Sequence, residues 1–133
     1  MRIWAALYSL VWAAFFQFVL VLLPLPDSAF LLDLHAMLGI VILALAHYNN
    51  SVLRKTEAPA RLKRVAKTTA ILATAQPVFG VLLFLNVVAG LSSIVLLIHL
   101  VTALAIITQA SSVATGYDMW EEREFVPTSR GPV

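Results

Sequence analysis

The sequence predicts an all-α integral membrane protein: a four-helix bundle running up-down-up-down, built from two pseudo-repeated helical hairpins. Three observations carry this. First, of 133 residues 61% are hydrophobic and only 12% charged, against about 45–50% and about 25% in soluble domains. A chain this short has too much surface to hide so much apolar material from water, and the same composition excludes a disordered chain. Second, the apolar residues fall into four runs of roughly 20, the length that crosses a bilayer. Third, six of the nine Lys/Arg residues lie between Arg54 and Lys67, between the second run and the third. A cytoplasmic loop accounts for that cluster, so no nucleic-acid partner is called for. The absence of cysteine excludes disulfides, thiolate metal sites and iron–sulfur clusters.

The first helix is predicted over about 3–23, ended by Pro24 and Pro26, because proline cannot continue a helix. Its apolar run exceeds the 7–15 residues of a signal-peptide core, and no clear A-x-A site follows, so it reads as a spanning helix. The second helix is predicted over 29–48, capped by Asp27 or Ser28 and stopped by Asn49 and Asn50. A polar loop follows over 51–67. The third helix is predicted over 68–88, with a tight turn at Asn86, Gly90, Ser92 and Ser93. The fourth is predicted over 91–115, closed by Gly116. Residues 1–116 thus form the transmembrane domain, and 117–133 a mobile polar tail.

Orientation follows from the Lys/Arg bias. Arg54, Lys55, Arg61, Lys63, Arg64 and Lys67 are expected in the cytoplasm, and Arg2, Arg123 and Arg130 agree. The turns at 24–28 and 86–93 hold neither Lys nor Arg. A multi-pass protein of the cell membrane with both termini cytoplasmic is therefore expected. Trp4, Tyr8, Tyr48, Tyr117 and Trp120 fall near the inner helix ends, where interfacial aromatics belong.

A weak repeat relates the hairpins. The first reads Gln17, Pro24, then His35 with Gly39 four residues on. The second reads Gln76, Gly90, then His99 with Ala103 four residues on. Each hairpin pairs a mid-membrane Gln with a His about two turns into the next helix. Both hairpins start inside, so the repeat axis runs along the membrane normal.

Polar residues inside a membrane are costly and usually functional. Here they are Gln17, His35, His47, Gln76, His99 and Gln109, with hydroxyls such as Thr102 and Thr108. No Asp, Glu, Lys or Arg falls at a helix centre, which argues against a proton-coupled pump. His35 and His99 lie about seven residues into their helices, roughly 10 Å below the outer ends. Two histidines at equal depth can face one another across a bundle core, and a heme iron accepts two axial imidazoles. Ala36, Gly39 and Ala103 leave backbone clearance for a flat macrocycle, and Gln17, Gln76 and Gln109 are candidates for supporting the ligands. A lone intramembrane His can instead hydrogen-bond a neighbouring helix. Zinc or copper would lack a third ligand, since Asp33 and His35 point to different helix faces. His47 lies about 18 Å from His35 along one helix but has no partner His on the fourth, so it reads as an interfacial residue beside the basic loop. Pro77 is either a kink that widens the core or an ordinary membrane-helix kink.

The stretches Gln76-Pro-Val-Phe-Gly80, Gly90-Leu-Ser-Ser93 and His99-Leu-Val-Thr-Ala103 resemble a hairpin of the heme A synthase family, and Leu34-His35-Ala-Met-Leu-Gly39 resembles that family's other ligand helix. Family members usually have eight helices in two similar halves, with a shorter four-helix archaeal form. This chain resembles one half, or the short form, over about residues 1–115. The resemblance implies heme binding by His35 and His99, oxidation of heme O to heme A, and a role in cytochrome oxidase assembly. The family's catalytic half carries a Glu three residues before its first His; that position here is Leu32. The family's cysteine pair is also absent. Heme binding therefore carries over more fully than catalysis does. A one-heme cytochrome b, carrying electrons in cytochrome oxidase or another respiratory complex, is the alternative. A heme-free scaffold subunit is the third reading. Membrane lipid and heme are the expected partners, and a half-length form leaves room for a homo-oligomer.

Overall fold

The computed structural model describes residues 3–22, 29–87 and 89–125. Four α-helices account for nearly all of them: α1 (Ile3–Leu22), α2 (Ala29–Leu53), α3 (Ala60–Phe84) and α4 (Ser92–Phe125), with a short 3-10 turn, η1 (Ala89–Leu91), before α4. Each α-helix is long and apolar enough to cross a membrane. Large hydrophobic side chains such as Trp12, Phe16, Val78 and Leu97 are exposed on the bundle surface. Such a surface is stable only where the surrounding solvent is hydrocarbon.

The four helices form a square. α1 packs on α2 and α4, and α3 packs on α2 and α4, while the diagonal pairs make no close backbone contact among the described residues. The packed core is mostly alanine, including Ala6, Ala46, Ala66, Ala70, Ala110 and Ala114. Small residues let membrane helices approach closely, which gives dispersion contact where no hydrophobic force acts between helices. Leu7, Leu53, Val113 and Tyr117 fill the end of the bundle that holds the α2–α3 connection. The start of α1 and the end of α4 lie at that same end, joined by the hydrogen bond from the Tyr8 hydroxyl to Asp118.

Several helix bounds differ from those expected, each for a local reason. α2 passes through Asn49 and Asn50 and runs on to Leu53. Asn49 is buried, and its Nδ2 donates to the carbonyl of Ala6 on α1 at 3.1 Å. A polar side chain that finds an interhelical acceptor has no need to leave the helix. α3 begins at Ala60, directly after Pro59, so most of the expected loop is helical and only residues 54–59 connect α2 to α3. α3 stops at Phe84, where Asn86 takes a left-handed backbone with φ 51°. Its N–H reaches back to Leu83, as a helix-terminating Asn does.

Gly116 does not close α4, which continues to Phe125. Instead it lets α3 come close: a Cβ there would lie 2.7 Å from Leu62 Cδ2. The first nine residues of the expected tail are therefore helix, held by Tyr8–Asp118 and by a ring contact of Tyr117 with Trp120 at 5.5 Å. The expected breaks at Pro24 and Pro26, the caps Asp27 and Ser28, and residues 126–133 lie outside the described residues.

Candidate functional site

Close packing occupies only half the bundle. Ala14, Ile42, Ala73 and Ile106, one from each helix, are the last buried core residues toward the end that holds η1. Beyond them the helices surround a cavity of about 660 Å³, for which these four residues form the floor. That volume lies within the usual range for a small-molecule or cofactor site, about 300–1,000 Å³. Among the described residues its walls are apolar apart from Gln17, His35, Gln76 and His99.

His35 on α2 and His99 on α4 face each other across the diagonal that the cavity holds open. Their ring centroids are 6.3 Å apart, with the ring planes tilted by 46°. Two imidazoles on opposite sides of one metal ion, joined by bonds of about 2 Å each and adding ring radii of about 1 Å each, stand roughly 6 Å apart. The pair therefore has the spacing of a bis-imidazole site.

The other diagonal carries the glutamines. Gln17 on α1 donates through Nε2 to the carbonyl of His35 at 2.8 Å. Gln76 on α3 does the same to the carbonyl of His99 at 3.1 Å. The repeat seen in the sequence is thus a repeat of contacts: within each hairpin, the Gln of the first helix ties the His of the second. Four atoms in this ring are buried without a hydrogen-bond partner: Gln17 Oε1, His35 Nδ1, Gln76 Oε1 and His99 Nδ1. Unpaired buried polar atoms cost roughly 1–3 kcal/mol each. Two pairs placed alike in the two hairpins mark this as the most polar, least satisfied part of the apolar half.

Small residues give the cavity its width. A Cβ at Gly39 would lie 3.8 Å from Gln17 Nε2, and one at Gly80 would lie 4.0 Å from His99 Cε1. Ala36 and Ala103 also line the wall. Pro77 lies within α3 and lines the cavity too. A proline inside a helix leaves the carbonyl four residues earlier without its usual donor, and here that residue is Ala73, on the floor.

The site fits a heme in its donor set. If a heme were bound, His35 and His99 would supply its axial nitrogens, and Ala36, Gly39, Gly80 and Ala103 line the wall beside them. Among the described residues no group of three His, Cys, Asp or Glu could hold a bare ion.

The remaining candidates lie elsewhere. Gln109 does not reach the cavity: its Oε1 pairs with the Thr69 hydroxyl at 3.1 Å, in the packed half. His47 is exposed on the α2–α3 face, with Nε2 2.9 Å from Thr74 Oγ1. The Thr74 hydroxyl already donates to the Ala70 carbonyl, so His47 Nε2 is the donor in that pair. Leu32 lines the cavity, while Asp33 is exposed and does not. The placement of Gly80 beside the His99 ring did not emerge from the sequence, although its place one helical turn after Gln76 puts both on one face. Comparisons with protein-family models, curated proteins and solved structures return no match to this chain.

Proposed function

We propose that this chain is a heme-binding membrane protein, with His35 and His99 as the axial ligands of one heme. The observation that carries the reading is the His35–His99 ring pair, 6.3 Å apart across the cavity. Gln17 and Gln76 position the two histidines through their backbone carbonyls, and Gly39 and Gly80 keep the wall thin. The wall around the rings is otherwise apolar among the described residues. A bound heme would supply one-electron redox chemistry at its iron.

Two uses of that heme follow. The resemblance in Gln76–Gly80 and His99–Ala103 supports a heme A synthase-like role, oxidation of heme O to heme A for cytochrome oxidase assembly. The wall composition supports a one-heme cytochrome b: Leu32 replaces the family's Glu, and among the described residues no carboxylate lines the cavity. A carrier needs only ligands and an apolar surround, whereas a synthase also needs groups that move protons at the oxidised carbon.

Heme extracted from the purified protein separates the two. Heme A or hydroxylated heme O supports the synthase. Heme B alone supports the carrier. A purified, folded protein that neither carries heme nor takes it up overturns both.

A further inference from the structure

The basic segment between α2 and α3 is a second feature, and it has no part in the heme site. Arg54 and Lys55 directly follow α2. Arg61, Arg64 and Lys67 follow in the first two turns of α3. All five are exposed. Among the described residues none of the five makes an ion pair. Glu57 is the only acidic residue between 54 and 67. Lys63 stands apart from the five: its Nζ donates to the Thr56 carbonyl at 2.6 Å and braces the turn.

The depth of these charges identifies their surroundings. Tyr48, an exposed aromatic of the kind that marks a membrane interface, lies six residues before Arg54. Ile71, the first exposed large hydrophobic side chain of α3, lies four residues after Lys67. At 1.5 Å per helical residue Arg54 lies roughly 9 Å beyond Tyr48, and Lys67, Arg64 and Arg61 lie roughly 6, 10 and 15 Å before Ile71, so the cations run from the headgroup layer to its outer edge. Helical structure from Ala60 onward fixes three of them to one rigid element, instead of leaving them on a flexible loop. Arginine forks match phosphate oxygens bidentately.

We propose that Arg54, Lys55, Arg61, Arg64 and Lys67 form a binding surface for the phosphate headgroups of anionic phospholipids, holding a negatively charged lipid annulus around this end of the bundle. Clusters of four to eight cations beside a span bind anionic lipid in this way. The association weakens with salt, because exposed charges are screened within about 10 Å at 0.1 M.

The test uses the full chain reconstituted in bilayers with spin-labelled phosphatidylglycerol or phosphatidylcholine. The fraction of each lipid immobilised at the protein gives their relative association. The native chain should favour phosphatidylglycerol by about threefold or more at low salt, and the preference should fall toward unity in 1 M sodium chloride. The variant with all five residues changed to Gln should lose the preference, while Arg123→Gln should keep it. Should the five-residue variant not fold, the salt response of the native chain decides alone. A native ratio near one, or a preference unchanged by salt and by the five substitutions, overturns the proposal. A preference abolished by inorganic phosphate, yet retained in chloride of equal ionic strength, would assign the surface to free phosphate and also overturn it.

Discussion

Gln17 holds His35 by its backbone: the Gln17 amide donates to the His35 carbonyl at 2.8 Å, across the α1–α2 interface. Gln76 repeats the bond on His99 at 3.1 Å. A carbonyl inside a helix has a second lone pair to offer, so the extra bond leaves the helix intact while fixing its height and rotation. Both histidines are set in this way, which accounts for their facing each other across a diagonal whose helices make no close backbone contact among the described residues.

Replacing Gln17 or Gln76 by Leu should therefore weaken heme binding without unfolding the bundle. Loss of a group that orients a metal ligand typically costs about 10–100-fold in affinity. Heme titration of each variant should show a loss near the lower end, since the imidazoles themselves remain. Unchanged affinity in both variants would mean that these bonds do not position the ligands.

Gly80 separates backbone clearance from side-chain bulk. Gly80→Ala places a Cβ at ordinary contact distance from the His99 ring. It should be tolerated and raise helix stability by about 0.5–1 kcal/mol. Gly80→Phe should fill the cavity beside His99, leaving a folded chain without heme. Circular dichroism melts in detergent and heme absorbance, read together, check both halves of this expectation.

The packed half should behave independently of the site. Asn49→Ala removes the bond to the Ala6 carbonyl. Interhelical hydrogen bonds in membranes contribute about 0.6–1.7 kcal/mol, so the thermal midpoint should fall while any heme spectrum stays unchanged. A spectral change would mean that the two halves are coupled.

Orientation is open to direct labelling, because the chain has no cysteine of its own. In intact cells, a cysteine at Ser93 should react with a membrane-impermeant reagent, and one at Thr56 should react only after lysis. The reverse pattern would invert the Lys/Arg argument.

Composition made the fold class legible, because 61% hydrophobic residues in so short a chain leave lipid as the only adequate solvent. The depth-matched histidines and glutamines were legible as well, since helical rise converts sequence position directly into height. Helix ends were harder to read. Asn49 is a stop signal until the Ala6 carbonyl beside it is known, and Gly116 is a stop signal until Leu62 is seen against it. Gln109 looked equivalent to Gln17 and Gln76 because polarity alone does not reveal a partner. Thr69, 40 residues away in sequence, draws it into the packed half.

The central claim, one heme shared by His35 and His99, is tested most directly by the reduced-minus-oxidised spectrum of the purified chain beside His35→Ala, His99→Ala, the double variant and His47→Ala. Two imidazoles give a low-spin iron, and removing either one leaves a vacant axial position. The native chain and His47→Ala should show the same low-spin spectrum. Each of the other single variants should turn high-spin or lose the heme. The double variant should lose less than the sum of the two single losses, because both residues hold one object. A native low-spin spectrum retained in both His35→Ala and His99→Ala would contradict the account. So would loss of heme in His47→Ala alone, which would place the site beside the Arg54–Lys67 cluster at the opposite end of the bundle.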